Sequence, residues 1–101
     1  MTPGYARRRD AEQTRRDNDA RALGVYVIDC SQMAAYRRGF PDALWARDGR
    51  AVMVEHKNGA SDQLTEDEAD FHAEYPGPID ICRSDGDVLR IAKKWLGVEV
   101  G

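Results

Sequence analysis

Two acids and an amine carry the chemistry that this chain can offer. Pro41-Asp42 and Glu55-His56-Lys57 bracket two strand-like runs joined at Asp48-Gly49. The pattern P-D…E-x-K can set two carboxylates and one ammonium around a single point, which suits magnesium-dependent cleavage of a phosphodiester. Asp-Gly is a strong hairpin signal, because a two-residue type I′ turn needs φ > 0 at both central positions. Counting outward from that turn pairs Arg47 with Arg50, Ala46 with Ala51, Trp45 with Val52, Leu44 with Met53, Ala43 with Val54 and Asp42 with Glu55. Side chains alternate faces along a strand, so Asp42, Glu55 and Lys57 share one face. Acids directly opposite one another repel and weaken a sheet. A bound divalent cation resolves the conflict, since Mg²⁺ takes one or two carboxylates together with waters and phosphate oxygens. Lys57 then lies roughly 7 Å beyond Glu55, within reach of an attacking water or the scissile phosphate. The competing reading is an edge hairpin with exposed charges at its open end. A lone E-x-K is common, and it is the cross-strand register with Pro-Asp that separates the two.

The surrounding elements must hold that hairpin. Asp10 to Leu23 reads as a helix ended by Gly24. It has few apolar side chains: only Ala11, Ala20, Ala22 and Leu23 are available to pack, which predicts a thin covering helix or one that docks on a partner. Val25 to Cys30 is a strand rich in β-branched and aromatic residues. Ser31 to Phe40 is a loop or short helical turn. The hairpin strands carry Leu44 and Met53 on one face and Trp45, Val52 and Val54 on the other, so helices are expected above and below the sheet. Thr65-x-x-Glu68 is a capping box opening a helix that runs to about Tyr75 and stops at Pro76-Gly77-Pro78. Ile79 to Cys82 alternates as a short strand. Ser84-x-x-Asp87 begins a last helix with a stripe of Val88, Ile91, Ala92 and Trp95. The order predicts a meander of three strands, then a strand–helix–strand unit with parallel strands. This is an α/β fold with a mixed sheet flanked by helices.

Length and charge narrow the function classes. One hundred and one residues make one domain; residues 1–8 are expected to be a flexible tail and 9–101 the folded unit. The chain is 42% hydrophobic and 33% charged, as in soluble globular proteins. No apolar run approaches a membrane span and no signal-peptide core is present, so a cytoplasmic location without membrane contact is expected. Cys30 and Cys82 match no metal spacing and are expected to be reduced core residues. The net charge of −3 argues mildly against nucleic-acid binding, but its distribution matters more. Arginines crowd the N-terminus and Arg37-Arg38, whereas acids crowd Asp62 to Glu74, so one face can be basic and another acidic.

At these residues the chain resembles the PD-(D/E)xK nuclease superfamily, and within it the VRR-NUC type and small phage nucleases similar to Holliday-junction resolvases. The resemblance covers roughly Arg9 to Ile91. It rests on Gly39-Phe40-Pro41-Asp42, Val54-Glu55-His56-Lys57, the segment Leu64 to His72, and Arg83-Ser84 before the last helix. It implies a restriction-endonuclease-like αβββαβ core and a metal-dependent deoxyribonuclease, with a phage or prophage context in a bacterial cell. Asp42 and Glu55 would ligate Mg²⁺ (with Mn²⁺ substituting), helped by the backbone carbonyl of His56, and Lys57 would position the water. DNA would be the partner and a homodimer the expected assembly. Three positions depart from the family pattern. Relatives usually carry a glutamate on the first helix where Arg15 stands, which makes Glu12 the candidate replacement. The residue inside E-x-K is usually aliphatic but is His56 here, expected to point to the opposite side of the sheet. A glutamine usual on the second helix is Glu68, also accounted for by the capping box.

Other residues have two readings each. Arg37 and Arg38 contact phosphate or merely solvate a loop; Arg8 and Arg9 grip DNA as an arm or solubilise a tail. Asp29 approaches the metal or caps the turn that follows. His72 is expected on the helix surface, and the acidic helix from Glu66 to Glu74 as a solvated face that turns DNA toward the other side. Trp45 and Trp95 read as core aromatics. Two functions follow: a DNA endonuclease acting on branched, flapped or duplex substrates, or a non-catalytic module of the same fold that binds DNA or protein.

Overall fold

The computed structural model describes residues 11–99. The expected tail 1–8, the Arg8-Arg9 arm and the helix start at Asp10 lie outside them. Helix α1 spans Ala11–Ala22, strand β1 Tyr26–Asp29, a 3-10 turn Ser31–Ala35, β2 Ala43–Arg47, β3 Arg50–His56, α2 Glu66–Glu74, β4 Ile79–Cys82 and α3 Asp85–Leu96. The four strands lie side by side in the order β1-β2-β3-β4. The first three are antiparallel and β4 runs parallel to β3. The protein is therefore α/β, with a mixed sheet and three helices.

The hairpin forms in the register counted from its turn, with Arg47 opposite Arg50 and Ala43 opposite Val54. Asp48 (φ 52°) and Gly49 (φ 78°) both take left-handed backbone, as the two-residue turn requires. The same pleat brings Val27, Ala43, Trp45, Val52, Val54 and Cys82 onto one face of the sheet. They bury against Ala20 of α1 and Val88, Ile91, Ala92 and Leu96 of α3. Trp45 is fully buried there, while Trp95 flanks the core half-buried, its Nε1 donating to Asp80 Oδ2 at 2.8 Å. Cys82 is a buried free thiol as expected; Cys30 is only half-buried.

Two expectations need correction. The first concerns α1, which buries Gln13, Arg16, Asp17 and Ala20, whereas Ala11 and Ala22 are exposed. It packs through polar side chains because backbone carbonyls and ring N–H groups await them. The second concerns helices on both faces. Helices α1 and α3 cover one face, and on the other the short α2 meets the end that carries Lys57, through Glu68. Tyr26 and Ile28, on the far strand of that face, are 70% and 44% exposed. A nine-residue helix is only about 14 Å long and shields one end.

Candidate active site

The buried end of the hairpin gathers the predicted acids. Asp42 and Glu55 are each 1% exposed. Asp42 immediately precedes β2 and is fixed from both sides: its carbonyl accepts from Cys30 N at 2.8 Å, and its Oδ2 accepts from His56 N at 2.8 Å. Glu55 hydrogen-bonds Asp42, yet its Oε1 is buried with no hydrogen-bond partner. Burial, and then the adjacent Asp42 charge and hydrogen bond, push the Glu55 carboxyl up to about 10. In the metal-free protein at neutral pH, this carboxyl pair therefore holds a proton.

Lys57 does not project freely into the site. Its Nζ meets Glu68 Oε1 at 2.7 Å, with both side chains about nine-tenths buried. Burial alone would lower the Lys57 ammonium, but Glu68 outweighs it and leaves the group above its ordinary value. Glu68 shows the converse: burial opposes its charge, and Lys57 and the Thr65 amide bring it below the ordinary range. The capping box forms as the spacing predicts, with Thr65 N donating to Glu68 Oε1 at 2.9 Å and Glu68 N to Thr65 Oγ1 at 3.2 Å. One oxygen thus caps the helix and holds the lysine. This overturns the reading of Glu66 to Glu74 as a face turned away from the chemistry, because the helix lies on the site's side of the sheet. His72, one turn after Glu68, is likewise not a surface residue. It is half-buried, its Nε2 is enclosed without a partner, and burial lowers its pKa.

The loop before Asp42 is pressed against α2. Gly39 has φ 78°, and a Cβ there would collide with the Asp67 carbonyl. A cavity of about 280 Å³ opens beside this contact, lined by Ala34, Arg38, Gly39, Thr65, Asp67 and Glu68. Gly39→Ala should destabilise the fold by about 2 kcal/mol, from left-handed backbone plus the collision. A thermal melt of the variant checks this, and an unchanged midpoint would refute the tight approach.

The remaining candidates fall in different places. The His56 ring points to the opposite face, as expected, with Nε2 2.9 Å from Asp17 Oδ1. Glu12 lies on α1, and its carboxylate is engaged by Arg15 at 2.9 Å and by Arg16. Arg15 also reaches Asp85 at 2.8 Å. Asp29 takes the turn-capping role, its Oδ1 accepting from Ser31 N at 2.9 Å. Arg37 and Arg38 both face α2, pairing with Glu74 and Asp67.

Two contributors on α1 escaped the sequence reading. Arg16 is buried and donates to the carbonyls of Lys57 at 2.8 Å and of Cys82 and Arg83 at 3.4 Å, clamping the ends of β3 and β4. Asp17 accepts from Trp45 Nε1 at 3.1 Å besides meeting His56. The signal was the helical spacing of Gln13, Arg16, Asp17 and Ala20.

No group of three or more His, Cys, Asp or Glu side chains is arranged to hold a metal ion among the described residues. Two carboxylates are nevertheless enough for a hard cation that keeps its waters. The enclosed, unpartnered Glu55 Oε1 beside Asp42 fits that demand, and carboxylate oxygens are donors that suit Mg²⁺ or Mn²⁺. No helix of the described residues is long and apolar enough to cross a membrane. No protein-family model, curated protein or solved structure matches this chain.

Proposed function

We propose that this protein is a divalent-cation-dependent endonuclease that hydrolyses DNA phosphodiester bonds. The carrying observation is the burial of two adjacent carboxylates, Asp42 and Glu55, at the open end of a hairpin whose next residue on the Glu55 face is Lys57. Burying two acids side by side costs stability that packing does not need. A site that must bind a cation accounts for it. The element order from α1 to β4, with its mixed sheet, is compatible with the restriction-endonuclease-like core that the resemblance implies, and that core is part of the proposal.

When bound, Mg²⁺ or Mn²⁺ would act as Lewis acid and lower the pKa of the attacking water. Asp42, held by the His56 amide, and Glu55 would bind it, with the His56 carbonyl as a third donor. The pair must release its proton for that role. Lys57, once parted from Glu68, would orient the water and offset charge on the phosphorane. Branched, flapped and duplex DNA are the substrates in view, and a homodimer would suit a branched one.

A cation that binds the folded state raises its melting temperature by mass action. Millimolar Mn²⁺ or Mg²⁺ should raise the midpoint by about 5 °C or more, and Asp42→Asn should abolish the rise. A rise kept in that variant would place the cation elsewhere. The second reading, a non-catalytic DNA- or protein-binding module, is favoured by Glu12, the replacement for the family's first-helix acid, being tied up by two arginines. It predicts binding indifferent to metal.

A further inference from the structure

Three ion pairs join α2 to the basic side chains of the Asp42 loop and the end of β3. Glu68 Oε1 meets Lys57 Nζ at 2.7 Å, Glu74 Oε1 meets Arg37 Nη2 at 3.1 Å and Asp67 Oδ2 meets Arg38 Nη1 at 3.6 Å. Asp67, Phe71 and Glu74 are spaced at i, i+4 and i+7, so they form one stripe of the helix. The Arg37 guanidinium lies over the Phe71 ring, 5.1 Å from its centroid. In the nuclease reading these three bases would face the phosphate, and a guanidinium binds carboxylate and phosphate with the same fork geometry. The helix itself is lightly held: Glu68 and Phe71 are its only buried residues. The Arg37 and Arg38 pairs are solvent-exposed, a class worth at most about 1 kcal/mol each, so a polyanion can exchange them readily.

We propose that α2 is a built-in phosphate mimic, whose carboxylates occupy Arg37, Arg38 and Lys57 until a DNA backbone displaces them. The inference rests on the nuclease reading of the site and adds a control which that reading does not contain. The net charge of −3 then conceals a basic surface already neutralised from within.

The test compares two double variants of the full chain. Asp67→Asn/Glu74→Gln frees Arg37 and Arg38. Glu66→Gln/Asp70→Asn removes the same charge from exposed positions of the same helix that lie outside the three pairs. Binding to one fluorescent DNA duplex, read by anisotropy without metal and at fixed salt, does not depend on cleavage. The first variant should bind at least about five-fold more tightly than the second, and adding Arg37→Ala/Arg38→Ala should erase the gain. Equal tightening of both doubles, or none in either, would overturn the mimic. A selective gain in a protein that cuts no DNA would keep the mimic and sink the nuclease reading; cutting without a selective gain would do the reverse.

Discussion

Glu55→Gln is expected to abolish DNA cleavage while raising the melting temperature of the metal-free protein. The two effects share one cause. Glu55 is buried against Asp42, and burial pushes its carboxyl up to about 10. In the unfolded chain it ionises near the ordinary 4.5. A carboxyl whose pKa rises on folding favours the folded state at low pH. That contribution is lost progressively as the pH climbs from about 4.5 to about 10. Glutamine has a similar shape and can donate to Asp42 as the protonated acid does, but it does not titrate. Because glutamine still buries a polar amide, the variant should keep only part of that gain, about 1–2 kcal/mol at pH 7, or roughly 4–16 °C, and the gap should widen between pH 5 and pH 9. Cleavage should fall by about 10²-fold or more, the scale of several kcal/mol of lost cation-based stabilisation. Thermal melts across pH, paired with cleavage assays, check both halves. A variant less stable than wild type at pH 9 would contradict the reading of Glu55 as a strained functional acid.

Asp17→Ala should cost the most stability of any single polar substitution on α1, about 3 kcal/mol. Asp17 is fully buried and meets two ring nitrogens, Trp45 Nε1 at 3.1 Å and His56 Nε2 at 2.9 Å. Alanine would leave both enclosed, and each buried donor without a partner costs about 1–3 kcal/mol. The damage should extend to the site, because His56 lies between Glu55 and Lys57 and its backbone N–H donates to Asp42 Oδ2. Denaturant unfolding measures the loss. Asp17→Asn, which keeps one acceptor oxygen, should fall between alanine and wild type. A change below about 0.5 kcal/mol in the alanine variant would show that the cluster is not a structural anchor.

The hairpin was legible because its turn residues set the register, and the pairs from Arg47–Arg50 to Ala43–Val54 count outward from Asp48-Gly49. The capping box at Thr65 and the stop at Pro76-Gly77-Pro78 marked α2 equally well, since both are local rules that tertiary structure did not override. Helix α1 was not legible by hydropathy. Arg15 is exposed and Arg16 buried, one residue apart and of the same type, and what separates them is the carbonyls of Lys57, Cys82 and Arg83 across the gap. The acids of α2 misled for a related reason: composition counts charges but does not say which way they face. Glu68, Asp67 and Glu74 turn toward Lys57, Arg38 and Arg37 instead of toward solvent alone. Asp29 offered a turn cap more readily than a metal ligand, because an acid at a strand end commonly caps the turn that follows, and the Ser31 amide at 2.9 Å holds it as the cap.

The most direct test is cleavage of matched linear, flapped and four-way-junction DNA with Mg²⁺ or Mn²⁺, run beside folded Glu55→Gln. The account predicts metal-dependent cutting of at least one substrate by the wild-type protein and none by the variant. Cutting retained by Glu55→Gln, or no cutting of any substrate by folded wild-type protein, would contradict it.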